Sequence, residues 1–199
     1  LRMVKVVFDI ETNGLNPSVI WCIAAKIVGR WDEPTTFEPG NVKDFIPWLQ
    51  ENDVEVLIGH NIINFDIPVI ERLLNFTWWG DIEDTLVMSR MDSPSRKGGH
   101  SLDAWGERLG NAKGGFGKKE DAWGSYNQEM LEYCIQDVKV TYSLYSLLTK
   151  QKLSEDALTM EHIVAKIIHQ QQLNGWAFNT RDAITLQAEL KSEMFKAED

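Results

Sequence analysis

Five residues of this chain, four carboxylates and a tyrosine, could do chemistry together. Asp9 and Glu11 stand two apart in Phe8-Asp9-Ile10-Glu11-Thr12, at the end of a β-branched apolar run. On a strand, residues two apart project from the same face. Two carboxylates held together are costly unless cations neutralise them, so the pair is either the solvated end of a strand or half of a cation site. Asp66 follows Gly59-His60-Asn61-Ile62-Ile63-Asn64-Phe65. It lies between a buried strand and a helix, the crevice where α/β sheets bind ligands. Taken alone, Asp66 reads first as a helix N-cap, Asn61 as a turn residue and Phe65 as a core aromatic. Tyr133 and Asp137, four apart in a helical stretch, share a face. A lone pair of that kind is usually structural. The conjunction is what points to chemistry: Asp-x-Glu ending a first strand, Asp near mid-chain, and Tyr-x₃-Asp on a late helix.

The elements that must position these groups follow from periodicity and punctuation. Met3 to Phe8 reads as a buried strand ending at Asp9, and Val19 to Val28 as a second. Glu33-Pro34 and Pro39-Gly40 bracket a short third strand, and Val54 to Ile58 is another buried one. Val42 to Glu51 has helical spacing with Asn41 as a cap. Pro68 to Leu74 is a helix, with Pro68 tolerated in its first turn. Ile82 to Arg90 is a strand passing into a helix that Asp84 or Thr85 caps. From Met91 to Tyr126 the chain is rich in Gly, Ser and Lys, with one short helix, Leu102 to Leu109, and a loop at Lys113–Lys119. A long helix spans Asn127 to Leu148. Beyond Lys150, helices at Ala157 to Asn174 and from Asn179 or Thr180 to Lys196 flank an extended Trp176-Ala177-Phe178. This last piece is too small for its own core and is expected to pack on something. The order of elements predicts an α/β domain over residues 1–150, with a mixed sheet flanked by helices, and a C-terminal helical extension over 151–199.

The chain has 199 residues, 43% of them hydrophobic and 25% charged, an ordinary globular composition. The net charge of −10 argues against a nucleic-acid partner. Bound cations would invert the field of any metal-ligating acids, however. The stretch Arg90–Lys119 carries seven Lys or Arg against three Asp or Glu, either a solvated surface or a contact for a phosphate backbone. Cys22 and Cys134 lie in apolar stretches without metal-ligand spacing and read as reduced core thiols. With no membrane-length apolar run and no signal-peptide pattern at Leu1 to Val7, the protein is expected in the cytoplasm.

Together the motifs resemble the DEDD superfamily of 3′→5′ exonucleases, in its tyrosine-bearing branch, which has a ribonuclease H-like fold. Closer still, the chain resembles the proofreading domain of phage family A DNA polymerases. Asp84-Thr85-Leu86-Val87-Met88-Ser89-Arg90, His100-Ser101-Leu102-Asp103-Ala104-Trp105-Gly106-Glu107-Arg108-Leu109-Gly110 and Gln136-Asp137-Val138 all match that group. So do Glu161-His162 and Gln172-Leu173-Asn174-Gly175-Trp176-Ala177-Phe178-Asn179-Thr180, which look like the start of the polymerase portion. The palm and fingers motifs of a polymerase are absent, so the chain is either a fragment or a stand-alone relative. Position 132 is Glu, where the sister branch carries histidine, and Tyr133 takes that role.

The resemblance implies hydrolysis of single-stranded or frayed DNA 3′ ends with two metal ions, Mg²⁺ with Mn²⁺ as substitute. Four carboxylates without a convergent Cys/His set favour such hard cations over zinc. Asp9 would bridge the ions, Glu11 and Asp137 would hold the one on the attacking side, and Asp66 would support the other. Tyr133 would orient the water. Leu15 matches the position beneath the terminal base, with a core leucine as the alternative. Thr12, Asn61, Phe65 and His100 are the further substrate-contact candidates; His60, His162 and His169 read as surface or packing residues. Two rivals stay open beside this reading: an exoribonuclease on the same scaffold, and a nuclease-dead scaffold module, which the presence of all four carboxylates disfavours. A third has the domain active only with a polymerase half, as the apolar face of the last two helices suggests. A DNA strand end and a polymerase domain are the expected partners, and a membrane is not.

Overall fold

The computed structural model describes residues 3–111, 114–119 and 121–198. Among these, five strands form one mixed sheet: β1 (Val4–Thr12), β2 (Ile20–Ile27), β3 (Thr35–Phe37), β4 (Val54–Gly59) and β5 (Asp81–Asp84). Their order is β3-β2-β1-β4-β5. The β1–β2 and β2–β3 pairs are antiparallel, while β4 lies parallel to both β1 and β5. Seven helices follow the order α1 (Phe45–Glu51), α2 (Asp66–Leu74), α3 (Thr85–Asp92), α4 (Leu102–Arg108), α5 (Gln128–Leu148), α6 (Glu155–Asn174) and α7 (Thr180–Glu198). The predicted α/β class, a ribonuclease H-like mixed sheet flanked by helices, is what the chain adopts.

Alternation along β1 builds the two sides of the sheet. Val6, Phe8 and Ile10 pack with Phe45, Leu49, Ile67 and Ile70 beneath α1 and α2. Val7 points the other way, joining Cys22, Ala24 and Ile58 against Met130, Cys134 and Val138 of α5. Each of these buried aliphatic and aromatic side chains contributes about 1.5–3 kcal/mol by leaving water. Asp9 and Glu11 continue the face of Val7, so the register that seats the core also aims both carboxylates at α5.

Several boundaries differ from the sequence-based expectation. Strand β1 does not stop at Asp9; the ladder runs on through Asp9↔Ala24 and Glu11↔Cys22, with a shift before Thr12↔Ile20. A carboxylate does not interrupt backbone pairing when its side chain leaves the sheet at a cleft. Asn41 caps no helix. Its side-chain oxygen accepts the Glu38 N–H, and a 3₁₀ turn at Val42–Asp44 precedes α1. A second 3₁₀ turn, Phe116–Lys118, lies in the Gly-rich loop, of which Lys113 is outside the described residues. Asp84, Ser101 and Asn127 cap α3, α4 and α5 through their side-chain oxygens.

Two compact units divide the chain inside α6, at Ile167/Ile168. In the second unit no described side chain is buried, and Trp176, Phe178, Leu190 and Phe195 are exposed. No helix among the described residues is long and apolar enough to cross a membrane.

Candidate active site

Residues from four separate stretches line one cavity of about 290 Å³: Asp9, Ile10 and Glu11 of β1, with Leu15 beyond it; His60, Asn61 and Phe65 after β4, with Asp66 opening α2; Tyr133 and Asp137 of α5; and Trp123 from the loop before α5. The parallel β1–β4 pair sets the ends of these two strands side by side. Helix α5 crosses the same face, and its Cys134 thiol donates to the Asp9 carbonyl at 3.4 Å. The four-residue spacing then turns Tyr133 and Asp137 together toward the carboxylates.

Burial makes this a costly collection of charge. Glu11, Asp66 and Asp137 are all buried, and Asp9 is half-buried. Loss of water pushes the Asp66 carboxyl up to about 7. The charges of Asp84 and Asp137 add to that effect, against the pull of its own and the Ile10 backbone amides. Asp66 does not act as a helix N-cap: it is the first residue of α2, Phe65 holds the cap position, and no side chain caps this helix.

Asp9, Glu11 and Cys134 bring their ligand atoms within 4.8 Å of one another, a group that could hold a metal ion. Sequence spacing left Cys134 out of any metal set, because its neighbours lie on the far end of the chain. Burial, the neighbouring Cys22 and the Asp9 and Glu11 charges push its thiol well up. Its thiol donates to the Asp9 carbonyl, and the carboxylate oxygens beside it suit a hard divalent cation.

The loop between β4 and α2 is held in shape by Asp84, whose carboxylate accepts N–H bonds from Asn61 at 2.8 Å and Ile63 at 3.2 Å. Asn61 itself adopts the left-handed region, φ 69°, which asparagine tolerates. The alternative of Leu15 as a core residue is removed, since it is 94% exposed at the cavity.

Other candidates are not brought to this cavity. Thr12 is buried and donates its hydroxyl to the Gly14 carbonyl at 3.0 Å. His100 pairs its Nδ1 with Ser89 Oγ at 2.7 Å and its Nε2 with the Pro94 carbonyl. In the basic stretch, Arg96 and Arg108 stack on Trp105 at 4.5 and 5.0 Å. Arg96 also pairs with Asp92, and Lys119 with Glu129.

Conversely, His60 and Trp123 do line the cavity although neither was singled out for the site. Trp123 lies in a Gly-rich loop with no periodicity, so no local signal marks it. His60 lines the cavity while its Nδ1 pairs with Thr85 Oγ1 at 2.9 Å.

The sheet and its acidic cleft define a ribonuclease H-like α/β domain. In sequence the chain is 27% identical to the DNA-directed DNA polymerases of Enterobacteria phage T3 and Escherichia phage T7, over 96% of its own length and 36% of theirs. It therefore spans about a third of the length of these curated relatives. No protein-family model matches it. In structure it resembles NrnC of Brucella melitensis bound to pGG, with a TM-score of 0.64, 20% identity and 90% of both chains covered. These likenesses bear out the resemblance to DEDD-type 3′→5′ exonucleases.

Proposed function

We propose that this chain is a metal-dependent 3′→5′ exonuclease that releases nucleoside monophosphates from single-stranded or frayed DNA ends by two-metal-ion hydrolysis. The observation that carries the reading is the convergence of Asp9, Glu11, Asp66, Tyr133 and Asp137 on one small cavity. Asp9 would be shared by both cations, Glu11 and Asp137 would hold the one on the attacking side, and Asp66 the other. When bound, divalent ions such as Mg²⁺ or Mn²⁺ supply charge neutralisation and a water acidic enough to attack at neutral pH.

The protein's own groups do the rest. The Tyr133 phenol orients the attacking water by hydrogen bonding, without needing to ionise. The water oxygen bonds to phosphorus and the P–O3′ bond breaks. The shortened strand keeps a 3′-hydroxyl, and a 5′-monophosphate departs. Leu15, Asn61 and Phe65 border the path of the strand end. A polymerase domain, in the same polypeptide or as a separate chain, is the proposed partner, supported by the likeness to the two phage polymerases.

An exoribonuclease on the same scaffold is the second reading, and the likeness to NrnC bound to pGG favours it. One experiment addresses both. A 5′-labelled single-stranded DNA and its RNA counterpart are incubated with Mg²⁺, with EDTA, and with the Asp66→Ala variant. A descending ladder lost in both controls upholds the exonuclease, and the faster substrate assigns the sugar. No ladder on either substrate with Mg²⁺ or Mn²⁺ rejects it.

A further inference from the structure

Tyr133 is half-buried and lines two cavities: the acidic one, and a second of about 660 Å³ whose walls include Gly114, Gly115, Phe116 and Glu132. A ring with open space on two sides depends on its few ring contacts for its pose. Phe116 lies 5.6 Å from it at 41°, and Trp123 lies 6.1 Å away at 71°. Phe116 is itself buried, stands 5.4 Å from Trp123, and does not line the carboxylate cavity. It opens the 3₁₀ turn Phe116–Lys118, which the Lys119 N–H closes onto the Phe116 carbonyl at 3.0 Å. Two ties anchor this loop to the regular elements. Lys119 pairs with Glu129 near the start of α5, and the Trp21 indole of β2 donates to the Trp123 carbonyl at 3.0 Å. Gly117 passes close to the phenol, where a Cβ would stand 3.6 Å from the hydroxyl oxygen.

A long side chain on a helix has two open χ1 wells, roughly 180° and −60°, so α5 alone leaves two stations for the phenol. Even within one well, a small rotation moves the distant hydroxyl by about 1 Å, and a misplacement of that size can cost on the order of 100-fold in rate. Something outside α5 must therefore choose the pose. We propose that Phe116 is a positioning residue for the hydrolysis: its ring holds the Tyr133 hydroxyl where it meets the attacking water. This rests on the nuclease reading of the same site. Phe116 acts only through Tyr133, so its loss lowers the rate of the chemical step and leaves substrate affinity alone. The Gly-rich loop before α5 thereby gains a part in the reaction that no periodicity in its sequence marks.

The test is a double-mutant cycle on the full chain: wild type, Phe116→Leu, Tyr133→Phe and the two combined. Initial rates on single-stranded DNA with Mg²⁺ are resolved into kcat and KM and corrected for the folded fraction. Phe116→Leu is expected to lower kcat by about 5- to 50-fold, no more than Tyr133→Phe does, with KM within about two-fold of wild type. In the Tyr133→Phe background the same substitution should change kcat by less than about two-fold, because no hydroxyl is left to place. Phe116→Tyr, which keeps a ring, should restore most of kcat. A readout independent of activity is ¹⁹F NMR of protein labelled with 3-fluorotyrosine, the Tyr133 signal being the one missing in Tyr133→Phe. Phe116→Leu should shift or broaden that signal and leave those of Tyr142 and Tyr145 in place. Losses that add in the cycle, a change confined to KM, or an unmoved Tyr133 signal overturns the proposal. Each of those results, with a cleavage ladder present, leaves the nuclease reading standing. No ladder from the wild type rejects that reading and the role of Phe116 with it.

Discussion

The Nε2 atom of His162 accepts a hydrogen bond from the backbone N–H of Asp84 at 2.7 Å, across 78 residues of sequence. The other ring nitrogen, Nδ1, lies 2.7 Å from the Leu158 carbonyl and so carries the proton, which fixes the tautomer. Asp84 in turn accepts N–H bonds from Asn61, Ile63 and Leu86. Helix α6 is thereby tied through β5 to the loop that presents Asn61, Phe65 and Asp66. His162, expected to be a surface or packing residue, is a buried link in that chain.

Replacing this imidazole leaves a buried donor without its acceptor. His162→Ala is expected to lower stability by about 1–3 kcal/mol, read as a shift of the urea midpoint at unchanged m-value. His162→Gln, which can present an amide oxygen to the Asp84 N–H, should recover part of the loss. A midpoint unchanged in His162→Ala would show that water replaces the bond at no cost.

Asp84→Asn tests the loop directly. An amide offers one acceptor oxygen where the carboxylate offers two, and three backbone N–H groups must be served. Stability should fall by about 1–3 kcal/mol, and nuclease activity should fall by more than the unfolded fraction accounts for. Thermal unfolding beside initial rates on single-stranded DNA separates the two effects.

The acidic cleft should be destabilising when no cation is bound. Burial pushes the Asp66 carboxyl up to about 7, with Asp84 and Asp137 adding to it. Removing that charge by Asp66→Asn should raise the melting temperature in EDTA by roughly 2–4 °C for each kcal/mol relieved. Mg²⁺ should stabilise the wild type and stabilise the variant much less. The same melting order in EDTA and in excess Mg²⁺ would contradict cation binding through Asp66.

Tyr133→Phe keeps the ring that packs against Phe116 and Trp123 and removes only the hydroxyl. The expected result is a kcat lower by about 10- to 100-fold, near the lower end of what a positioned proton-handling group contributes. The unfolding midpoint should stay within experimental error. A large loss of stability would instead assign the hydroxyl a structural role.

Gly59, the last residue of β4, is constrained by its neighbours rather than by its backbone. A Cβ there would meet Ile62 Cγ2 at 2.0 Å and the Phe8 carbonyl at 3.1 Å. Gly59→Ala should therefore cost about 1–3 kcal/mol through overpacking, measured by chemical denaturation, and should displace the loop that leads to Asp66.

What the sequence alone determined were the properties that repeat along the chain. Apolar, β-branched runs predicted β1, β2 and β4, helical spacing predicted α5, and Asp84 as a candidate cap predicted where α3 begins. Strand and helix periodicity put Asp9 with Glu11 and Tyr133 with Asp137 on common faces, since residues two apart on a strand or four apart on a helix must share a side. Tertiary structure alone decided how those pairs meet. The parallel β1–β4 register sets Asp66 beside the end of β1, and the packing of α5 on the sheet places Cys134 against Asp9. It also decided that Leu15 is exposed, that Trp123 borders the cavity, that His100 turns to Ser89, and that His162 reaches Asp84. Those contacts join residues dozens of positions apart, and no local period encodes them. Only the burial of the two faces of the sheet brings them within reach.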